Sequence, residues 1–167
     1  MPEFILRGAE TRQFFELGDF TCGYIEALFF TNDEILRDKG FCDMAAETVA
    51  EIVKTCIAFQ EKNRALLFSA YLRGYSARQA GIDFWFTRNG HGAGYWDRKE
   101  LEPESAEYNR LTAEMVANKD DRAAWDAALA ARNALAEKSL GDLLTKAAQP
   151  CGESDAYLGD DDLVYVS

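Results

Sequence analysis

The sequence predicts a single α+β domain over residues 1–167, in which a small antiparallel sheet of two hairpins packs against several helices. Long segments in the middle of the chain carry apolar residues at helical spacing. Two segments, 83–98 and 155–166, combine strand-forming residues with a central turn signal. Helices and strands do not alternate as they would around a parallel sheet. Together these observations favour an α+β class over an α/β class.

The first half of the chain predicts two elements. Residues 21–33 have the apolar spacing of a short helix, although their aromatic and β-branched residues would also suit a strand. A long helix is predicted from Asp43 to Arg73, because its apolar residues recur on one face. Asp43 is the expected N-cap and Gly74 the expected end of this helix.

A hairpin is predicted over Asp83–Arg98, with its turn at Asn89-Gly90, because a type I′ turn needs two residues that tolerate positive φ. In that register Phe84 and Phe86 face the core, and Trp85 covers Gly94 on the other strand. An alternative is a wider glycine-rich loop from Asn89 to Gly94, whose N–H groups could bind an anion.

The rest of the chain predicts helices and a second hairpin. Two helical segments are predicted over residues 102–118 and 120–138, the second of them rich in alanine. Another helix begins after Ser139 and ends before Pro150. The second hairpin has its turn at residues 159–162.

The charge distribution indicates the kind of partner that the protein prefers. The net charge is −11. Residues 1–98 carry 11 basic and 14 acidic groups, whereas residues 99–167 carry 7 basic and 15 acidic groups. Such a chain repels nucleic-acid phosphates, which disfavours direct binding to duplex DNA, and attracts a basic protein surface. The chain has no apolar stretch of the length that a membrane span needs.

A few side chains could carry chemistry, and the sequence favours a non-enzymatic protein without a cofactor. His91 could act in acid–base catalysis with Asp83 or Asp97, although a single histidine at a turn is more often structural. Asp160, Asp161 and Asp162 could bind a divalent cation, but aspartate is also a usual turn residue. The candidate binding residues of the central segment are Arg88, Asn89, His91 and Arg98. The two arginines could contact a phosphate or a carboxylate of a ligand, or they could pair with Asp83, Asp97 or the acidic tail of the same chain.

The segment DFWFTRNGHGAGYWDR, the segment LGDLLTKAA and the residues Tyr157–Asp161 resemble a family of small phage and prophage proteins. The family core reads Asp-Phe-Trp-x-Thr-Arg-Asn-Gly-His-Gly-Ala-Gly-Phe-Trp-Asp-Arg, and Asp83–Arg98 differ from it only by Tyr95 in place of the Phe. The resemblance implies a phage protein in the cytoplasm of an infected or lysogenic bacterium and supplies no activity. Family members lack most of residues 99–138, so this acidic, helical segment is interpreted as an insertion.

Two functions are compatible with these observations. In the first, a non-enzymatic phage accessory protein binds a basic host protein, in an anti-defence role that could include mimicry of nucleic acid, as in anti-restriction or anti-CRISPR proteins. Its predicted binding residues are Glu100, Glu104 and Glu107, which would share a face if they lay in one helix. In the second, the glycine-rich loop acts on a nucleotide or a nucleic acid through His91 and Arg88.

Overall fold

The structure is a computed structural model that describes residues 5–103, 106–136 and 138–167. The nine helices of these residues are α1 Arg12–Phe15, α2 Asp19–Thr31, α3 Asp33–Leu36, α4 Ala46–Lys62, α5 Arg64–Leu72, α6 Ala77–Arg88, α7 Ala106–Ala117, α8 Arg122–Ala136 and α9 Leu140–Ala148. Four short 3-10 helices cover Phe41–Asp43, Tyr95–Asp97, Lys99–Leu101 and Gln149–Cys151. Strands β1 Ala156–Leu158 and β2 Val164–Val166 form one antiparallel sheet. None of the helices described is long and apolar enough to cross a membrane.

The prediction of helices packed with a small antiparallel sheet is confirmed, but the predicted hairpin over Asp83–Arg98 is wrong. Asp83 to Arg88 form the second half of α6, and a loop then leads to the 3-10 helix Tyr95–Asp97. Asn89 is the C-cap of α6, and Gly90 has a φ of 65°. A glycine with positive φ ends a helix as readily as it forms a hairpin turn, so the Asn-Gly signal does not distinguish the two.

The centre of the fold is a close crossing of α2 and α6, two helices that pack on each other more extensively than any other pair in the described chain. Gly23 of α2 lies against the backbone of Arg78, and Gly81 of α6 lies against the backbone of Phe20. A Cβ atom at either glycine would overlap a carbonyl group of the other helix. The two backbones therefore touch directly, which requires residues without a side chain.

The predicted long helix between Asp43 and Arg73 is divided into α4 and α5 at Asn63. Asn63 has φ −112° and ψ 22°, and its side-chain amide donates to the carbonyl of Phe59 at 2.9 Å. Asp43 is not the N-cap of α4, since its carboxylate accepts from the N–H of Gly40 at 2.8 Å. Gly74, with a φ of 86°, ends α5 as predicted.

Helices α7 and α8 pack mainly on each other. Tyr108, Leu111 and Ala128 are buried, but they are not part of the main hydrophobic cluster. Leu101, which precedes α7, is 1% exposed and does belong to that cluster. The helical pair thus begins after Leu101, later than the boundary at residue 99 that the sequence suggested; whether it is an insertion stays a prediction.

Deleting residues 106–136 and joining the ends with a short flexible linker is expected to leave a folded protein with a cooperative thermal transition. The reason is that the main cluster loses none of its buried side chains. A longer deletion that also removes Leu101 should be less stable by about 2–5 kcal/mol, the usual cost of losing a buried leucine. Circular dichroism during heating measures the thermal transition of each of the two deletion variants. Aggregation of the shorter deletion would show that α7 and α8 are needed for folding.

The hairpin predicted over 155–166 is present and is attached to the helical core through β2. Val164 forms a parallel bridge with Met44, and its carbonyl accepts from the N–H of Ala45 at 3.0 Å. Ala156 and Val164 are buried, whereas the cross-strand pair Tyr157 and Tyr165 lies on the opposite face of the sheet. One face of the hairpin therefore packs on the core and the tyrosine-bearing face does not.

Candidate functional site

The side chain of Asp83, one of the candidate acid–base partners of His91, is enclosed in the core. It is 0% exposed and accepts hydrogen bonds from the guanidinium of Arg98 at 2.7 and 2.5 Å. The hydroxyl of Tyr75 donates to the same carboxylate at 2.6 Å, and the amide of Gln79 donates at 3.2 Å. Of the two contacts considered for Arg98, the structure shows the ion pair with Asp83, which ties the end of the loop to α6.

The protonation states of this cluster suit a structural role. The hydrogen bond with Asp83 is the largest of the effects that raise the pKa of Arg98. Burial raises the pKa of Tyr75, and the negative charge of Asp83 raises it further. Tyr75 and Arg98 therefore keep their protons near neutral pH, and both donate hydrogen bonds to Asp83 that hold the loop in place.

Arg88 and Asn89 bind the segment that precedes β1. The guanidinium of Arg88 donates to the carbonyls of Gly152 at 2.7 Å and Cys151 at 3.1 Å, and to the hydroxyl of Tyr24 at 2.9 Å. The side-chain oxygen of Asn89 accepts from the N–H of Ser154 at 2.7 Å. Two more predicted binding residues thus recognise groups of their own chain.

His91 lies on the surface with its ring edge against Phe86, the two ring centroids being 5.6 Å apart. Asp97 is also exposed. Among the residues that the structure describes, no carboxylate forms an ion pair or a hydrogen bond with the His91 imidazole. The predicted pairing of His91 with Asp83 is wrong, because that carboxylate is enclosed by Arg98 and Tyr75.

Two N–H groups of the glycine-rich loop are already used inside the chain. The N–H of His91 donates to the carbonyl of Phe86 at 3.0 Å, and the N–H of Gly90 donates to the carbonyl of Thr87 at 3.4 Å. This reduces the number of donors that the loop could offer to an anion.

The acidic residues predicted to share one helical face do not lie in one helix. Glu100 is exposed in the 3-10 helix Lys99–Leu101, whereas Glu107 lies in α7, which begins at Ala106. Glu104 lies outside the described residues. Glu107 forms an ion pair with Arg110 at 2.6 Å, and this hydrogen bond lowers the pKa of Glu107. The break before α7 therefore removes the geometrical basis for a shared face.

Asp160, Asp161 and Asp162 occupy the turn between β1 and β2. The carboxylate of Asp162 pairs with Lys39 at 2.5 Å. Asp161 accepts from the N–H of Leu163 at 3.2 Å and from the hydroxyl of Tyr165 at 2.7 Å. Across the described ranges, no three His, Cys, Asp or Glu side chains are arranged to hold a metal ion. Asp161 therefore stabilises the turn itself, and Asp162 connects the turn to Lys39.

The outward side of the hairpin combines aromatic and acidic groups in a way that the sequence analysis did not identify. The rings of Tyr157 and Tyr165 are stacked, with centroids 5.6 Å apart and an angle of 20° between the planes, and Tyr157 is 47% exposed. Asp155 lies two residues before Tyr157 and so on the same side of β1. We call this surface, formed by Tyr157, Tyr165, Asp155, Asp161 and Glu47, the tyrosine face.

Two acidic groups of the tyrosine face act on the hydroxyl of Tyr165. This hydroxyl donates to Asp161 at 2.7 Å. That hydrogen bond is the largest of the effects that raise the pKa of Tyr165 to about 12, and the charge of Glu47, at the beginning of α4, is a smaller one. The ring of Tyr165 also passes over Gly159 in the turn after β1, where a Cβ atom would collide with it.

The alternation of Tyr157 and Tyr165 with Ala156, Val164 and Val166 was the available sequence signal for this face. Ala156 and Val164 are buried, and Val166 is partly buried. The tyrosine face is exposed, whereas three of the four candidate binding residues in the Asp83–Arg98 segment make internal contacts. Comparison of the chain with models of known families, with curated proteins and with solved structures finds no match.

Proposed function

We propose that the protein is a non-enzymatic phage accessory protein that binds a basic surface of a host protein through its tyrosine face. The observation that carries this proposal is the stacked pair Tyr157 and Tyr165 on the sheet face turned away from the core. Tyr157 is exposed and Tyr165 is partly exposed, and the acidic residues Glu47, Asp155 and Asp161 beside them are exposed. Tyrosine is enriched at protein interfaces because it offers a large apolar area together with a polar hydroxyl.

The chemistry of this face suits lysine and arginine side chains of a partner. A guanidinium or ammonium group above a tyrosine ring gains about 0.5–2 kcal/mol from the cation–π interaction. The neighbouring carboxylates can accept its N–H groups, and charge-assisted bonds of this kind are stronger than neutral ones. The net charge of −11 adds a long-range attraction that accelerates association with a basic partner.

The phage context of the proposal depends on the resemblance of Asp83–Arg98 and the accompanying segments to phage proteins. In an infected cell, extended basic surfaces belong mainly to proteins that bind nucleic acid. Occupation of such a surface would place the protein in competition with DNA or RNA, which is the anti-defence role expected from its acidity.

Neutralising the tyrosine face is expected to weaken binding to the partner. The wild-type protein is first used to capture partners from a bacterial lysate. The test variant carries three substitutions, Glu47→Gln, Asp155→Asn and Asp161→Asn. We expect the affinity for the captured protein to fall about tenfold, given 0.2–1 kcal/mol for each exposed charge pair. Binding of wild type should also weaken steeply with added salt, because exposed charges are screened. Surface plasmon resonance measures both effects.

A second triple variant, Glu100→Gln, Glu104→Gln and Glu107→Gln, is the matched control because it changes the net charge by the same amount elsewhere in the chain. It should bind nearly as well as wild type. Equal loss in the two variants would mean that net charge alone governs binding, and a loss confined to the control would move the interface to residues 100–107. Displacement of the partner by duplex DNA would show that its nucleic-acid surface is the one occupied.

A further inference from the structure

A second surface, on the helical pair α7–α8, has the opposite charge from the tyrosine face. A groove of about 450 Å³ runs between the two helices. Its apolar part consists of Met115, Val116 and Trp125, of which Val116 is 71% exposed. The other lining residues are Thr112, Lys119 and Arg132. All the charged residues that line the groove are therefore cationic, in a chain whose net charge is −11.

The cations of the groove are available and one of them is held in position. In the part of the chain that the structure describes, no carboxylate forms an ion pair with Lys119 or Arg132. Arg132 lies over the ring of Tyr108 at 4.6 Å from its centroid, and its Nε donates to the Thr112 hydroxyl at 3.0 Å. These two contacts hold the guanidinium of Arg132 in position. They leave its two terminal nitrogens able to donate hydrogen bonds to a partner.

The acidic residues of α7 lie on the other flank of the helix. Glu107 and Glu114 both form ion pairs with Arg110, three and four residues away along the helix. Helical spacing places these three residues opposite Thr112 and Val116, and Lys119 follows in the turn after α7. Their negative charge is therefore neutralised in part and directed away from the groove.

We propose that the α7–α8 groove is a docking site for a short acidic, amphipathic segment of a partner protein. Apolar side chains of that segment would pack on Met115, Val116 and Trp125, and its carboxylates would pair with Lys119 and Arg132. Charge complementarity selects this occupant, because a segment without acidic residues would leave both cations unpaired. The site is independent of the tyrosine face and requires the opposite charge from its ligand.

The test begins with a random peptide library displayed on a carrier and selected on the full chain. We expect the enriched peptides to combine large apolar residues with aspartate or glutamate. One such peptide is made synthetically. It should bind each of two single variants, Val116→Asp and Lys119→Glu, at least about tenfold more weakly than it binds wild type. Since Val116 is 71% exposed, its replacement leaves the fold intact, which circular dichroism verifies.

Reversing the charge of the peptide tests whether its charged residues contact Lys119 directly or whether the substitution acts only through the net charge of the protein. A peptide whose acidic residues are replaced by lysine should regain affinity for Lys119→Glu but not for wild type. Lys54→Glu is the matched control, because Lys54 is exposed on α4 and forms no ion pair among the described residues. It should bind the acidic peptide as wild type does. The tyrosine-face triple variant should also bind this peptide normally, so the two proposals fail separately.

Three results would overturn the proposal: selected peptides without carboxylates, binding that survives both groove substitutions, or a labelled single-stranded oligonucleotide that competes for the groove. The last result would assign the groove to phosphate groups instead of a peptide.

Discussion

Replacement of Gly81 by alanine is expected to destabilise the protein by about 3 kcal/mol or more. Added volume in a packed interior usually costs about 1–3 kcal/mol, and here the new methyl group meets backbone, which cannot rotate away. Glycine-to-alanine changes inside helices ordinarily stabilise a protein by about 0.5–1 kcal/mol. A decrease in the free energy of unfolding at Gly81 would therefore point to the close contact between the two helices. Chemical denaturation monitored by circular dichroism gives the free energy of unfolding.

Gly92→Ala is the matched control for this prediction. Gly92 lies in an exposed loop, does not have a positive φ, and has no heavy atom within 4 Å of its ideal Cβ position. Its replacement should change stability by less than about 0.5 kcal/mol. If Gly81→Ala were as stable as Gly92→Ala, α2 and α6 could not be in backbone contact, and the centre of the fold would be different.

Asp83→Asn is expected to cost about 3–5 kcal/mol, the range for breaking a buried ion pair by removing one partner. All the contacts of the Asp83 carboxylate come from donors, on Tyr75, Gln79 and Arg98. An asparagine amide keeps one acceptor oxygen but points an NH₂ group at the remaining donors. Arg98 would then be left near a neutral group in a largely buried place.

The comparison variant is Glu26→Gln, which removes the charge from a second two-bonded arginine–carboxylate pair. Glu26 binds Arg78 at 2.9 and 2.5 Å, but its side chain is 23% exposed, whereas that of Asp83 is 0% exposed. We expect the loss to be about 1 kcal/mol, because solvent compensates a partly exposed pair. A loss for Asp83→Asn no larger than that for Glu26→Gln would contradict the structural role of the Asp83 cluster.

The helices with amphipathic patterns were predictable, whereas α6 was not. Aromatic residues and the Asn89-Gly90 pair favoured a hairpin, but Asp83, Phe84 and Trp85 are consecutive and all buried. A helix that is buried on several sides does not show the alternation of apolar and polar residues by which an amphipathic helix is predicted. Its tertiary contacts also outweigh the preference of aromatic residues for strands. The missed signal was Ser76 followed by Gln79, which is the pattern of a helix N-terminus; the Ser76 hydroxyl accepts from the N–H of Gln79 at 3.0 Å.

The candidate site was predicted less well than the fold. Arg88, Asn89 and Arg98 were predicted to bind a partner or ligand, and the structure shows their side chains hydrogen-bonded within the chain. Pairing of Arg98 with Asp83 was one of the alternatives, but the contacts of Arg88 and Asn89 with residues 151–154 could not be foreseen, because those residues are more than 60 positions away in sequence. The tyrosine face was missed because it depends on two strands of three residues each and on Glu47, which precedes them by more than 100 positions.

The contact between Arg88 and the carbonyl of Gly152 spans 64 residues of chain, and this separation determines when it can form during synthesis. At about 5–20 residues per second, the ribosome makes Gly152 about 3–13 s after Arg88. Helices α2 and α6 are both complete before then, so their crossing can assemble while Arg88 still donates to water. The hairpin that carries the tyrosine face is joined to this preformed pair last, which makes the tyrosine face a late product of translation.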